Sequence, residues 1–153
     1  MKKKILIIGY GSIGRKLLEI LPKNKFEFAI LRTKKKTKIS SKIRVFFKTD
    51  EALKFNPSYI FICSSANLHF YYFKKFINLK AKMFIEKPLT INKKELNILK
   101  KTRKNIIVGY FLRFYSPLKF IKNFINKKIK FVRNINFEVG YDIRKWRPTR
   151  KLN

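Results

Sequence analysis

The sequence has 153 residues, of which 46% are hydrophobic, so it is long enough for one domain with a substantial core and too apolar for an intrinsically disordered chain. No apolar run approaches the roughly 20 residues that a membrane-spanning helix needs, and the apolar stretch near the start is too short for a signal peptide. The single cysteine excludes an internal disulfide framework, and the single histidine has no metal-ligating cluster beside it. We therefore expect a cytoplasmic protein without a metal site.

The formal net charge of +31 raises the alternative of a basic nucleic-acid-binding protein. The lysines are scattered through every segment, and the densest cluster is TKKKTK at 33–38. No segment is a recognisable nucleic-acid-binding module, so this distribution favours solvated lysines on ordinary surfaces. We expect neither a specific nucleic acid nor a membrane as a partner.

The apolar run KILIIG at 4–9 ends at a glycine, as a buried parallel strand does. Isoleucines and leucines then recur at helical spacing until Pro22 closes the segment. In chain order, the sequence predicts a strand at 4–9, a helix at 12–21, strands at 26–32 and 42–47, a short helix at 49–53, a strand at 59–63, a helix at 67–79, a strand at 82–86, a helix at 92–104 and a strand at 105–110.

This alternation predicts an α/β fold, a doubly wound parallel sheet covered by helices on both faces. Thr49 or Asp50 is the predicted N-cap of the short helix, and Asn92 caps the helix that follows the fifth strand. Beyond the alternating part, the pattern predicts a helix at 116–127 and one long strand at 130–141.

Three glycines with the spacing G-x-G-x-x-G connect the first predicted strand to the first helix. Gly9 permits the tight turn, Gly11 lets a pyrophosphate approach the backbone, and Gly14 lets the helix pack close to the strand. The amides of Ser12, Ile13 and Gly14 would then face the phosphates at the positive end of the helix dipole. The alternative is a glycine turn without a ligand, but the position between strand and helix favours nucleotide binding.

The end of the second predicted strand indicates which dinucleotide binds. Sites that prefer NAD place Asp or Glu there to hold the ribose 2′-hydroxyl group, whereas this chain has Arg32 followed by Thr33. A guanidinium pairs with a 2′-phosphate, which a carboxylate would repel. The sequence therefore favours NADP over NAD; the alternative is that Arg32 simply belongs to the basic loop that follows.

Two further stretches follow the fourth and fifth predicted strands, at the carboxyl edge of the sheet where such folds bind ligands. ICSSANLHF at 62–70 has small polar residues suited to a loop against a cofactor, and it places His69 just inside the next helix. FIEKPLT at 84–90 has Lys87 between a carboxylate and a proline. Lys87 can present a cation to substrate and nicotinamide, whereas composition alone favours an ordinary surface lysine.

Together these stretches resemble the glucose–fructose oxidoreductase/inositol dehydrogenase (Gfo/Idh/MocA) family of nicotinamide-dependent oxidoreductases. The matching segments are KILIIGYGSIGRKL, EALKFNPSYIFICSSANLHFYYFKKFI, KMFIEKPLT and VGYFLRFYSP. The glycine turn alone is unspecific, but a strand, loop and histidine followed at this distance by Glu-Lys-Pro are much more specific. The resemblance covers about the first 117 residues and implies the family's N-terminal Rossmann domain.

The resemblance implies an NAD(P)-dependent oxidoreductase that acts on a sugar or nucleotide-sugar. Gly9, Gly11 and Gly14 match the pyrophosphate-binding glycines. Lys87 matches a lysine that contacts substrate and cofactor and assists proton transfer, and Arg113 matches an arginine after the sixth strand, which implies a substrate contact. The further cofactor-binding residues implied by the matching loops are Ser64, Ser65, Asn67, His69 and Glu86.

The length departs from the family, whose members have more than twice as many residues and a second α+β domain. That domain carries the substrate pocket and a catalytic histidine, whereas this sequence has no histidine after His69. We therefore expect a truncated form that binds cofactor with little turnover, or a cofactor-binding and oligomerising module in which the long strand pairs with a second chain. The predicted division is a dinucleotide-binding domain at 1–115 and the incomplete start of an α+β domain at 116–153.

Overall fold

The structure is a computed structural model, and it describes residues 2–33, 38–102, 105–129, 131–140 and 142. The chain divides into two compact units, Met1–Phe111 and Leu112–Asn153. No helix in the described residues is long and apolar enough to cross a membrane.

A six-stranded parallel sheet forms the centre of the first unit. Its strands are β1 (Lys3–Ile8), β2 (Phe26–Leu31), β3 (Arg44–Phe46), β4 (Tyr59–Ile62), β5 (Lys82–Ile85) and β6 (Ile106–Val108). They lie in the order β3-β2-β1-β4-β5-β6, and at the centre Ile5 of β1 pairs with Phe28 of β2 and Tyr59 of β4. The predicted strands and their parallel arrangement are confirmed, with ends that differ by at most two residues.

Helices cover both faces of this sheet. The helices between the strands are α1 (Ser12–Ile20), α2 (Thr49–Lys54), α3 (His69–Phe76) and α4 (Lys93–Lys101). On one face, Leu18 of α1 joins Ile5 and Ile30 in a buried cluster. On the other, side chains of α2, α3 and α4 pack with strand residues such as Ile60 and Ile85. The doubly wound α/β fold expected from the alternation is confirmed, and the strand order is that of a Rossmann fold.

The helix caps agree with the sequence in one case and differ in the other. Asn92 caps α4 as predicted, because its Oδ1 accepts a hydrogen bond of 2.8 Å from the amide of Lys94. The cap predicted for α2 is wrong: Lys48 precedes the helix, and neither Thr49 nor Asp50 caps it. Asp50 lies within the first turn instead, where its carboxylate interacts favourably with the helix dipole.

The second unit contains α5 (Ser116–Lys128), in the place where the sequence predicts a helix. The long strand predicted at 130–141 is wrong for the described residues 131–140, which form neither helix nor strand. Alternating apolar residues form a strand only where a neighbouring strand supplies hydrogen-bond partners, and no described residue pairs with this segment. The start of an α+β domain at 116–153 stays a prediction.

Candidate cofactor site

A cavity of about 330 Å³ lies at the carboxyl ends of β1, β2 and β4. The backbone ladder extends to its rim, since the amide of Gly9 donates to the carbonyl of Leu31 at 2.9 Å and the amide of Cys63 to that of Ile8 at 2.8 Å. The strand order reverses between β1 and β4, and such a point opens a crevice that binds ligands in parallel sheets. The predicted site residues that line the cavity are Gly9, Gly11, Arg32, Thr33, Ser64 and Ser65.

Two of the three glycines in the β1–α1 turn are required by the fold itself. Gly9 has a φ of +93°, and a Cβ there would lie 2.7 Å from the carbonyl oxygen of Cys63. Gly14 is buried at the start of α1, where a Cβ would overlap the carbonyl oxygen of Gly9. The chain can therefore turn from strand to helix only without side chains at these two positions.

Gly11 is different, because nothing lies within 4 Å of the position that its Cβ would occupy. Its backbone angles (φ −81°, ψ −161°) are ones that any residue adopts. Neither packing nor conformation requires glycine here, yet the residue lines the cavity. This open space fits a group that must approach the backbone closely, such as the pyrophosphate of a dinucleotide.

The first turn of α1 follows the cavity-lining Gly11 directly, whereas Ser12, Ile13 and Gly14 do not themselves line the cavity. The amides of Ser12, Ile13 and Gly14 belong to the part of a helix that has no intrahelical acceptor. No side chain caps this end of α1, and its first turn has no acidic residue. An anion is the partner that such a terminus favours.

Arg32 and Thr33 follow β2 at the rim of the cavity. The amide of Arg32 donates to the carbonyl of Phe46 at 3.1 Å, which continues the pairing of β2 with β3. The guanidinium carbon of Arg32 lies 5.8 Å from the ring centroid of Phe47. The end of β2 and the ring of Phe47 thus place the guanidinium of Arg32 at the rim of the cavity. This is the position at which the sequence predicts the preference for NADP over NAD.

Of the site residues predicted on the loop after β4, some line the cavity and others do not. Ser64 and Ser65 line the cavity, whereas Asn67 lies exposed in a 3-10 turn at Ala66–Leu68. The helix predicted from Asn67 begins two residues later, at His69. The side chain of Asn67 faces solvent, outside the lining of the cavity.

His69 is buried, with 1% of its surface exposed. Its Nδ1 lies 2.8 Å from the carbonyl oxygen of Pro88, and its Nε2 lies 3.0 Å from the carbonyl oxygen of Ser64. Both ring nitrogens therefore face backbone acceptors within the protein.

Glu86 and Lys87 follow β5, one strand further along the sheet. The peptide bond between Lys87 and Pro88 is cis, the side chain of Lys87 is exposed, and Oε2 of Glu86 accepts a hydrogen bond of 3.2 Å from the amide of Lys87. At Gly109, a Cβ would lie 2.8 Å from Oε1 of Glu86, so this glycine makes room for the carboxylate. Arg113 belongs to the second unit.

Sequence reasoning missed several residues that line the cavity: Tyr10, Leu31, Cys63, Leu68 and Tyr72. Burial, and next the charge of Glu86, raise the pKa of the Cys63 thiol to about 12. Burial, and next the neighbouring Tyr71, raise the pKa of Tyr72. Both groups are therefore neutral at physiological pH. The position of Cys63, directly after a buried strand, is the one sequence signal that could have found it.

The residues 3–110 match the model of the Gfo/Idh/MocA family, described as an oxidoreductase family with an NAD-binding Rossmann fold. The β-sheet order and the glycine turn already define a Rossmann domain. Because the family model matches residues 3–110, the chain belongs to the Gfo/Idh/MocA oxidoreductase family. Among curated proteins, no sequence matches the chain.

Solved structures share this fold. The myo-inositol dehydrogenase of Lactobacillus casei in complex with NAD(H) and myo-inositol is similar, with a TM-score of 0.69 and 22% identity over 84% of this chain and 42% of that chain. The WlbA (WbpB) dehydrogenase of Thermus thermophilus in complex with NAD and UDP-GlcNAcA has a TM-score of 0.69 and 18% identity over 82% and 47%. A dehydrogenase (MviM) of Clostridium difficile has a TM-score of 0.65 and 28% identity over 80% and 44%. The chain spans less than half the length of each.

Proposed function

We propose that this chain binds a nicotinamide dinucleotide in the cavity at the carboxyl ends of β1, β2 and β4. It would be the cofactor-binding part of an NAD(P)-dependent oxidoreductase that acts on a sugar or nucleotide-sugar. The observation that carries the proposal is the open space beside Gly11, in a turn where packing requires the other two glycines. Membership of a family with an NAD-binding fold supports the cofactor.

The pyrophosphate would lie against the turn. The amides of Ser12 and Ile13 donate to its oxygens from the uncapped start of α1. Gly11 contributes by having no side chain between the cavity and the backbone.

The choice between the two cofactors rests on Arg32. Its position at the end of β2 and its charge favour a ribose 2′-phosphate, with Thr33 as a second polar contact at the rim. The chain therefore prefers NADP. NAD is the alternative, since the inositol and nucleotide-sugar dehydrogenases of similar fold are complexes with NAD or NAD(H).

The reacting centre would form where the loops after β4 and β5 meet. When bound, the nicotinamide accepts or supplies the hydride. Ser64, Ser65 and Asn67 border it, and Lys87 holds or releases the proton at the hydroxyl oxygen of the substrate. Glu86 orients Lys87 by accepting its amide hydrogen bond. The ligands myo-inositol and UDP-GlcNAcA of the similar dehydrogenases support a polyhydroxylated substrate, and Arg113 is a further proposed substrate contact.

The net charge of +31 favours one competing function, that of a nucleic-acid-binding protein. Binding driven by that charge depends on the number of phosphates contacted and weakens steeply with salt. Binding in the cavity depends instead on individual residues, so single substitutions separate the two functions.

Fluorescence titration of the 153-residue polypeptide with NADPH and with NADH, at physiological salt, tests the proposal. We expect tighter binding of NADPH. Arg32→Asp should weaken NADPH binding at least about tenfold, because it replaces an attraction to the 2′-phosphate by a repulsion, and should favour NADH relatively. Tighter binding of NADH by the unchanged polypeptide would show that the role of Arg32 is wrong.

Arg44→Asp is the matched control. Arg44 is exposed on β3, where it pairs with Ala29 of β2, and it does not belong to the lining of the cavity. The substitution changes the net charge by the same amount. We expect it to leave the preference for NADPH unchanged. If neither cofactor binds to the unchanged polypeptide, the proposed function itself is wrong.

A further inference from the structure

Apart from Tyr72 with its hydroxyl group, His69 is the one buried side chain with nitrogen or oxygen atoms among the residues that the structure describes. It is the first residue of α3 and directly follows in sequence the 3-10 turn of the loop after β4. A buried polar group is costly unless its hydrogen bonds are made, so its partners indicate why it is there.

Those partners lie on two different loops. Ser64 precedes His69 by five residues, on the loop after β4, and Pro88 follows it by 19 residues, on the loop after β5. A neutral imidazole donates to one of the two carbonyl oxygens, and an imidazolium donates to both. Only the doubly protonated ring links both loops by hydrogen bonds, since in the neutral ring the unprotonated nitrogen faces the second carbonyl oxygen without a hydrogen bond.

The segment that contains Lys87 is held on both sides. Before it, the amide of Glu86 donates to the carbonyl of Ile62 at 2.9 Å, which extends the pairing of β4 with β5. After it, the carbonyl of Pro88 meets the ring of His69. The exposed Lys87 side chain therefore projects from a short backbone segment with a fixed point at each end.

We propose that His69 is a positioning residue that fixes Ser64 and Lys87 relative to each other at the carboxyl ends of β4 and β5, by holding the carbonyls of Ser64 and Pro88. This inference rests on the proposed function, in which those two residues border the nicotinamide and the substrate. His69 itself is buried and acts through its two neighbours, which differs from the direct cofactor contact implied by the family resemblance.

Three substitutions in the 153-residue polypeptide separate the two links. The amide nitrogen of asparagine reaches the position of Nδ1, so His69→Asn keeps a donor to Pro88 and loses the one to Ser64. The amide nitrogen of glutamine reaches the position of Nε2, so His69→Gln keeps the donor to Ser64 and loses the one to Pro88. His69→Phe keeps a ring of similar shape and loses both.

Hydrogen–deuterium exchange of the polypeptide without cofactor measures how firmly the backbone of each loop is held. We expect His69→Gln to speed exchange at 86–90 and to spare 63–66, and His69→Asn to give the reverse pattern. His69→Phe should loosen both loops. A general loss of stability cannot give this crossed pattern, because it loosens both loops in each variant. Equal loosening in all three variants, loosening of only one of the two loops, or no loosening in any variant would overturn the proposal. The Asn and Gln variants decide it even if the Phe variant does not fold.

Cofactor titrations then test whether loosening of the loops weakens binding at the nicotinamide end of the site. The probes are NADPH and ADP-ribose 2′-phosphate, which lacks the nicotinamide. His69→Phe should raise the dissociation constant of NADPH about tenfold and leave that of the second probe within about twofold, because loss of a buried hydrogen bond disturbs only the nicotinamide end. In a Lys87→Ala background the same substitution should add less than about twofold, since the two residues act together.

The two failures are distinguishable. If the unchanged polypeptide binds neither probe, the proposed function is wrong, and the exchange pattern alone still decides whether His69 links the loops. If the polypeptide binds both probes and the His69 variants weaken them equally, the positioning role is wrong while the cofactor site stands.

Discussion

Cys63 combines two features at the residue scale: it lines the cavity, and burial together with the charge of Glu86 raises the pKa of its thiol to about 12. The thiolate is the reactive form of cysteine, so the native thiol should be alkylated by iodoacetamide at pH 8 at least about 100-fold more slowly than the thiol of the polypeptide unfolded in guanidinium chloride. The rate for the native protein should also keep rising between pH 9 and 12. Because the sequence has a single cysteine, mass spectrometry assigns the reaction without ambiguity.

Glu86→Gln provides the control for this reactivity. It removes the second of the two causes of the raised pKa and leaves burial in place. The native thiol should therefore react faster in this variant by a small factor, about two- to fivefold, whereas the unfolded polypeptide should react at its former rate. A native thiol as reactive as the unfolded one would contradict the burial of Cys63 at the end of β4.

At the scale of elements, the turn between β1 and α1 predicts that the same substitution, glycine to alanine, affects stability at one position and not at another. Gly14→Ala should lower the free energy of unfolding by about 1–3 kcal/mol, because its Cβ overlaps the carbonyl oxygen of Gly9. This overlap outweighs the gain in helix propensity of about 1 kcal/mol that alanine brings. Gly11→Ala should change the free energy by less than about 0.5 kcal/mol, since its Cβ meets nothing.

Gly11→Ala, which should hardly affect stability, should strongly weaken cofactor binding. Its added methyl group would occupy the space proposed for the pyrophosphate, and we expect the dissociation constant of NADPH to rise at least about tenfold, or by more than about 1.4 kcal/mol. Chemical denaturation and fluorescence titration measure the two effects on the same protein. A stable Gly11→Ala variant with unchanged affinity would show that the turn does not hold the pyrophosphate.

The elements that the sequence predicts correctly are those whose signals are local. β1 and β4 are apolar runs closed by a turn, and Asn92 caps α4 within its own first turn. The sequence places His69 in the right helix but does not show its hydrogen-bond partners, because one of them, Pro88, lies 19 residues away on the loop of another strand. The segment 131–140 has the alternation of a strand without a described partner. Local patterns therefore give the elements, and the contacts between loops need the structure.

At the scale of the whole molecule, the charge of +31 is compatible with the fold because it stays out of the core. The buried residues of the described sheet and helices are hydrophobic, apart from His69, and lysines such as Lys2 and Lys3 are exposed. Such a charge attracts any phosphate-bearing ligand at low ionic strength. Physiological salt is therefore needed for the cofactor titrations to report on the cavity.

Catalysis of hydride transfer at a hydroxyl group needs a side chain that exchanges a proton with the substrate. The single histidine of the sequence is His69, whose ring is buried with both nitrogens on backbone carbonyls, so this polypeptide has no imidazole available to a substrate. Lys87 is the residue proposed here for proton transfer, and a positioned general base contributes about 10²–10⁴-fold to the rate of such a step.

We therefore expect the 153-residue polypeptide to bind cofactor and yet to turn it over with sugars and nucleotide-sugars at least about 100-fold more slowly than the myo-inositol dehydrogenase of Lactobacillus casei does with myo-inositol. Absorbance of the reduced nicotinamide, followed with a panel of such substrates, measures this turnover. Lys87→Ala should remove whatever activity remains, because its ammonium group is the proposed proton carrier. Rapid turnover that Lys87→Ala abolishes would contradict the expectation and show that Lys87 suffices without an imidazole. Rapid turnover that survives Lys87→Ala would remove Lys87 from the reacting centre.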